Sequence, residues 1–508
     1  MRVAHLVIAL FAITAAACGG KPGKSICDNQ VPPPAACMTM CDPSPGAPNS
    51  CPGGYHCAAD GYCDALCTPS GGECGDGYVC TPDGRCKGEN ECEGLECDVA
   101  KCTSQGKPET TLSGTVFAPN GTLPLYGIKV YVPNAPVPAF TEGAECSRCV
   151  NDDQMPGSPV NGIVATTDEA GKFTLTGVPS GSNIPLVITS GKWRRQIVVP
   201  SISDCADTAV STTDSRLPKN KSEGDIPKIA LTTGSADSLE CLLRRMGIDD
   251  SEIHTGPSGS GRIHLYAGNG PASFQGGFPG GSGAITNASN MWDDVNKLKA
   301  YDIVILSCEG SQRPDTKLQG GLNAMRDYAN LGGRVFASHW HNIWIGGNFT
   351  GGGQPAVAEW VPLATWANAG DPGAGTIDVI DENSNPKGSS FATWMINVMG
   401  STVRGEIPIQ DGTAKTTASG VNMGMAERWT FLKGTTRPQN FQFTTPTTVQ
   451  AAERCGKVVF SDMHVSGNGS TTAYPGGCGD PTPRALTPQE KALAFMLFDL
   501  ASCVSVIL

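Results

Sequence analysis

Thirteen cysteines crowd the segment between Cys27 and Cys102, and they limit what this part of the chain can become. A stretch so rich in cysteine and so poor in apolar side chains cannot fold by hydrophobic burial alone, so covalent cross-links must supply the constraint. The spacing is ordered. Cys51-PGGYH-Cys57-AADGY-Cys63 recurs as Cys74-GDGYV-Cys80-TPDGR-Cys86 at a period of 23. Each copy is C-x5-C-x5-C, with Gly-Tyr ahead of the second cysteine and an Asp-Gly turn ahead of the third. Cys41 and Cys67 complete two four-cysteine units, so Cys41, Cys51, Cys57, Cys63, Cys67, Cys74, Cys80 and Cys86 are assigned to disulfides. Each unit leaves three pairings open. A zinc ribbon would need C-x2-C pairs, which this stretch lacks. The whole chain has 22 cysteines, a number that belongs to an oxidising compartment.

The amino-terminal end agrees with export. Arg2 gives a positive start, Leu6 to Ile13 is almost wholly apolar, and Ala15, Ala16 and Ala17 are small. This reads as a signal peptide over residues 1–17, too short for a permanent membrane helix. The cysteine that follows resembles a bacterial lipoprotein box, although Ala15 stands where leucine is usual. The resemblance implies that Cys18 is acylated and anchors the chain to a membrane, and Gly19 after it implies the outer membrane or cell surface. Cleavage after Ala17 to give a periplasmic or secreted protein also fits the small residues. If Cys18 is acylated, 21 cysteines remain, an odd number. Residues 18–36 read as a Gly/Pro tether and residues 37–105 as the disulfide repeats.

Composition narrows function. A net charge of -12, spread along the chain without an acidic tail, argues against nucleic acid. At 508 residues the chain is too long for one core. From Leu112 the pattern LSGTVFAPNGTLPLYGIKVYV alternates apolar and polar positions around Pro119-Asn120-Gly121, and TTDEAGKFTLTGVPSG follows from Thr166 to Gly181. These stretches resemble the carboxypeptidase regulatory-like domain, which implies a transthyretin-type β-sandwich over residues 110–215 and no peptidase activity. An insertion from Pro133 to Ile163 carries Cys146-Ser-Arg-Cys149. Cys205 is a plausible disulfide partner for one of that pair.

Residues 226–508 alternate strand-like and helix-like patterns: Ile226 to Thr233, Ser238 to Met246, Arg262 to Ala267, Tyr301 to Cys308, Lys317 to Ala329, Arg334 to Ser338, Gly456 to Ser461 and Pro488 to Ala501. That order implies parallel βαβ units, with ligands beyond the carboxyl ends of the strands. Residues 404–450, Thr-rich and weakly alternating, read as an inserted hairpin or cap. The run YDIVIL, a helix, LGGRVFASH and GKVVFSDMH resembles the class I glutamine amidotransferase-like fold, and within it the trehalose-utilisation type proteins. The fold class expected is therefore multidomain: disulfide-rich repeats, a β-sandwich, and a flavodoxin-like α/β domain with a parallel sheet.

By that resemblance His339 falls where the family's nucleophilic cysteine would stand on a strand-to-helix elbow, so glutaminase activity is not expected. His464 falls near the family's catalytic histidine. Ser338 is a candidate nucleophile without a G-x-S-x-G frame. His339, His341, Asp462 and His464 are candidate ligands for a divalent metal, or could orient a sugar. Hydrogen-bonded structural histidines are the bland alternative. Cys308 reads as a disulfide partner, with Cys241 as its mate. Six of eight tryptophans lie between Trp340 and Trp429, which suits either core packing or carbohydrate. The function expected is that of a cell-envelope lipoprotein whose C-terminal domain binds a glycan or another envelope component. A hydrolase using His339 and His464, with or without a metal, and a purely structural protein are the alternatives.

Overall fold

The structure, a computed structural model, describes residues 25–29, 31–44, 50–68, 74, 78–81, 83–88, 92–465, 471–479 and 485–504. The leader and Cys18 lie outside the described residues. The chain divides into two units, one ending at Cys92 and one starting at Glu93.

In the first unit both repeats choose the same pairing, first cysteine to third and second to fourth. Cys41–Cys57 and Cys51–Cys63 form one set, and Cys67–Cys80 and Cys74–Cys86 the other. Each repeat is a hairpin whose last two cysteines face each other across the strands, Cys57 opposite Cys63 and Cys80 opposite Cys86. The Asp-Gly turns need glycine: Gly61 and Gly84 have φ of 82° and 75°. The segment expected to be a free tether is partly tied down. Cys27 bonds Cys37, Ile26 is buried, and its amide donates to the Ala65 carbonyl.

The second unit opens with two β-layers, the first antiparallel and the second mixed, since Asp207–Ala209 runs parallel to Thr111–Thr115. Trp193–Ile202, Gly181–Ser190, Lys129–Pro133 and Pro159–Thr166 form one sheet, in that order. Asp207–Ala209, Thr111–Thr115 and Lys172–Thr176 form the other. Alternation sets the core: Phe173 and Leu175 point inward, while Lys172, Thr174 and Thr176 are exposed. Cys102–Cys205 closes this layer pair. Cys205 therefore does not bond the insertion, as the sequence suggested. Cys146 bonds Cys455 and Cys149 bonds Cys503, so the insertion is stapled to the C-terminal part of the chain.

That part is built on a ten-stranded sheet. Its strands in chain order are β1 (Ile229–Thr232), β2 (Ile253–Thr255), β3 (Ile263–Tyr266), β4 (Ile303–Leu306), β5 (Arg334–Ser338), β6 (Ile377–Ile380), β7 (Glu406–Pro408), β8 (Glu427–Leu432), β9 (Pro438–Thr445) and β10 (Gly456–Ser461). The order across the sheet is β2-β3-β1-β4-β5-β10-β9-β8-β6-β7. From β2 to β10 all neighbours are parallel. From β10 to β7 all are antiparallel. Within residues 404–450, β8 and β9 form the expected hairpin and, with β7, extend the main sheet, while Ala418–Val421 pairs apart with Ala364–Trp366; no separate cap forms. The apolar blocks Ile303–Leu306 and Arg334–Ser338 are buried throughout, as parallel strands covered on both faces must be.

The longer helices are α1 (Leu239–Arg245), α2 (Gln319–Asn330), α3 (Gly388–Asn397) and α4 (Pro488–Ala501). Thr487 caps α4 with a reciprocal capping box to Glu490, and Pro488 occupies its first turn. α4 is buried on nearly every side because it is covered twice. It packs on β5 and β10, and its Phe495 and Phe498 meet Tyr126 and Trp193 of the sandwich. The Trp394 indole of α3 donates to the Pro124 carbonyl at 2.9 Å. Sandwich and α/β part therefore share one core. Trp344, Trp360, Trp394 and Trp429 are fully buried, so most of the tryptophan cluster serves packing. Among the described residues no helix is long and apolar enough to cross a membrane.

Candidate functional site

Three neighbouring parallel strands deliver one reactive side chain each. Cys308 follows β4, His339 follows β5 and His464 follows β10, all beyond the carboxyl ends of their strands. Cys308 Sγ lies 3.4 Å from His339 Nδ1. The rings of His339 and His464 are 5.1 Å apart between centroids. One donor atom from each of the three residues falls within 4.8 Å of the others, and all three residues are buried.

His339 sits at a sharp strand-to-helix turn. Its φ of 44° is a left-handed value that a non-glycine residue adopts at some energetic cost, and it turns the ring toward Cys308. Asp237, after β1, holds the turn. It accepts from the Ser338 hydroxyl at 2.9 Å and from the Val465 amide at 2.9 Å, so one carboxyl group fixes the neighbours of both histidines. The Ser338 hydroxyl is thereby committed and fully buried, which leaves it poorly suited as a nucleophile.

Burial dominates the electrostatics. It pushes the Cys308 thiol up to about 12. Burial, with Lys415 adding, lowers His339 to about 3. Burial, then His339 and Lys415, hold His464 well below its ordinary value. The cluster is a neutral thiol beside neutral imidazoles. A thiolate–imidazolium pair is disfavoured here, because both members would have to ionise in a dry site. His464 is the least satisfied member. The Ala236 backbone approaches its ring, yet neither ring nitrogen makes a hydrogen bond of normal geometry.

Two sequence candidates do not join this cluster. His341 spends both nitrogens elsewhere: Nε2 donates to the Ser307 carbonyl at 2.9 Å and Nδ1 accepts from the Trp344 indole at 2.9 Å. It is a structural histidine. Asp462 accepts from the Thr417 amide and hydroxyl and from the Ala418 amide, at 2.8, 2.6 and 2.8 Å. Its carboxylate pins the strand Ala418–Val421 rather than facing a ligand. Cys308 is the member that sequence reasoning assigned wrongly. It is a free thiol, and its expected mate Cys241 bonds Cys478 instead. The available signal was parity, since acylation of Cys18 would leave an odd number of cysteines. Nearby, Lys317 and Glu309 form a buried ion pair and Ser307 donates to Glu240 at 3.3 Å. Burial, with Asp237 adding, raises Glu240 to about 8.

A second feature lies at the opposite end of β5. A cavity of about 550 Å³ opens between the sandwich and helices α3 and α4. The rings of Tyr126, Phe140, Trp394, Phe495 and Phe498 line it, together with Lys129, Arg148, Gln154 and Arg194. Arg194 lies 4.0 Å over the Phe140 ring and is held by Asp225 at 2.8 Å. The Cys149–Cys503 bond forms part of the wall. Lys387 and Asp499 also line the cavity, and Lys457 meets Asp499 from the buried side. Burial alone would raise that carboxyl, but the two ammonium groups hold it below the ordinary range.

No protein-family profile matches the chain, and no curated protein matches it. Among solved structures, a C-terminal interface mutant of a type II cohesin–X-dockerin complex from Acetivibrio cellulolyticus is similar over 29% of this chain and 75% of that one. The identity is 18% and the TM-score 0.14. The N-terminal interface mutant of the same complex is similar over 30% and 78%, at 16% identity and a TM-score of 0.14. A putative ThuA-like protein from Bacteroides uniformis is similar over 54% of this chain and 91% of that one, at 11% identity and a TM-score of 0.25.

Proposed function

We propose that this chain is an exported, lipid-anchored binding protein of the bacterial outer membrane or cell surface. The disulfide-rich unit acts as its stalk, and the second unit takes up a glycan or another cell-envelope component. The cavity of about 550 Å³ carries the reading. Its volume is that of a small-ligand site, and its walls combine aromatic rings with a few hydrogen-bonding side chains, the mixture that binds a sugar face while fixing its hydroxyl groups. The site differs from the sheet edge to which the sequence pointed, and it joins the sandwich to the α/β part. A flavodoxin-like head related to the amidotransferase-like fold remains part of this reading, supported by the parallel strands β2 to β10.

Cysteine parity supports the anchor. Twenty of the 22 cysteines are disulfide-bonded and Cys308 is a buried free thiol, which leaves Cys18 available for acylation. Hydrolysis is the weaker reading. A thiol at about 12 beside an imidazole at about 3 is a poor nucleophile–base pair, and Ser338 has no histidine partner.

The test is calorimetric titration of the intact protein with oligosaccharides released from the bacterial envelope, for wild type and Phe140→Ala. Phe140 is only half-buried, so its loss should spare the fold. Saturable binding weakened about tenfold or more in the variant is expected, which corresponds to ~1.4 kcal/mol. Binding of equal strength in both proteins would remove the cavity from the account.

A further inference from the structure

Cys308 keeps its thiol in a protein whose other described cysteines are oxidised, and it keeps it against two histidines. We infer that Cys308, His339 and His464 form a binding site for a soft-to-borderline transition-metal ion, zinc(II) or copper(I). The inference is independent of the cavity, which lies at the other end of β5.

The donor set selects the ion class. One sulfur and two imidazole nitrogens suit zinc and copper(I), and disfavour calcium and magnesium, which want oxygen. Metal–sulfur and metal–nitrogen bonds of about 2.3 and 2.0 Å would set the donor atoms roughly 3.3–3.8 Å apart. Cys308 Sγ and His339 Nδ1 already stand at 3.4 Å, and the full set is within 4.8 Å. The donor set as it stands is therefore wider than a closed site by about an ångström at most.

The second observation is the isolation of His464. A fully buried imidazole with both nitrogens unpartnered is costly, and a metal bond would satisfy one of them. The support around the three donors is that of a held site. Asp237 ties Ser338 and Val465, the immediate neighbours of the two histidines, and so fixes where both rings point. His339, the most exposed of the three at 6%, marks the side of entry.

Loading balances simply. The S–H bond of Cys308 breaks, a sulfur–metal bond forms, and the proton leaves to solvent. The two imidazoles donate lone pairs as neutral ligands, and the metal keeps its oxidation state.

The experiment uses the intact, untagged protein, stripped with chelator and not reduced, so that the disulfides persist. Cobalt(II) and zinc(II) are titrated separately, and copper(I) is offered from a competing chelator. One equivalent of zinc or copper(I) is expected, with a thiolate-to-cobalt charge-transfer band in the cobalt arm. Cys308→Ser should abolish that band. Because a core substitution can harm folding, His464→Gln is measured in parallel, and each variant is first checked by circular dichroism. In each folded variant affinity should fall by more than the roughly 10–100-fold that loss of an outer partner costs. Folded wild type that binds neither zinc nor copper(I) would overturn the inference. So would metal binding and a cobalt spectrum unchanged in both variants.

Discussion

At the scale of single residues, buried titratable groups set how the protein responds to acid. His264 is the clearest case. Its Nε2 donates to the Gly259 carbonyl and its Nδ1 accepts from the Tyr301 hydroxyl, each at 2.9 Å. Burial first, and then Lys228, lower its pKa from 6.5 to about 4. The unfolded chain therefore binds the proton more readily than the folded one between those values. Stability drawn from neutral His264 is complete above pH 6.5 and is lost as pH falls toward 4. Thermal unfolding of wild type and His264→Gln across that window checks this. The advantage of wild type should be largest at pH 7 and shrink toward pH 4; an advantage independent of pH would contradict it. The roles of single residues were only partly legible in the sequence. His339 and His464 could be placed because each follows an apolar strand block whose end fixes its position. His341 and Cys308 could not. Two residues along a 3-10 turn, His341 swings to the Trp344 side of the turn, and that direction depends on packing rather than spacing. Cys308 had a plausible disulfide reading until Cys478 was found against Cys241.

At the scale of elements, the strongly patterned segments were the ones read correctly. β4, β5 and β10 are short apolar blocks bounded by turns, and α4 begins at Pro488 after a capping threonine, so local chemistry alone specifies them. Of the antiparallel half of the sheet only the hairpin of β8 and β9 was legible, and its place in the main sheet beside β10 and β6 was not. β8 and β9 carry Glu, Thr, Gln and Asn among their buried positions, and their pairing is bulged at Arg428 and Thr430. Several of those polar side chains pair across the sheet, as where Asn440 donates to Thr430 at 2.7 Å, so apolar alternation marks the strands only weakly. The staples of the insertion were equally invisible, because their partners lie 309 and 354 residues away. They should matter energetically. Replacing Cys149 and Cys503 together by serine removes a very long closed loop, and a loss of ~2–5 kcal/mol is expected in denaturant unfolding. A change below ~0.5 kcal/mol would mean that the aromatic packing of α4 already holds this corner.

At the scale of the whole molecule, two constructional principles meet. The first unit is held by cross-links, and its repeats adopt one pairing twice. The second has cores large enough to hold by burial, and its disulfides fasten distant elements. Such a chain belongs to an oxidising, extracytoplasmic setting. The proposed anchor makes a direct expectation: Cys18→Ser should move the protein from the membrane fraction to the periplasm or medium, and equal membrane association of both forms would refute acylation. The proposed binding function rests on where a ligand sits, which hydrogen exchange of the intact protein with and without envelope oligosaccharide would locate. The account predicts slowed exchange in residues 125–131 and 147–156 and at the C-terminal end of α4, around the cavity, with no change beside His339 and His464. Slowed exchange at the carboxyl ends of β4, β5 and β10 alone, with the cavity walls unaffected, would contradict it.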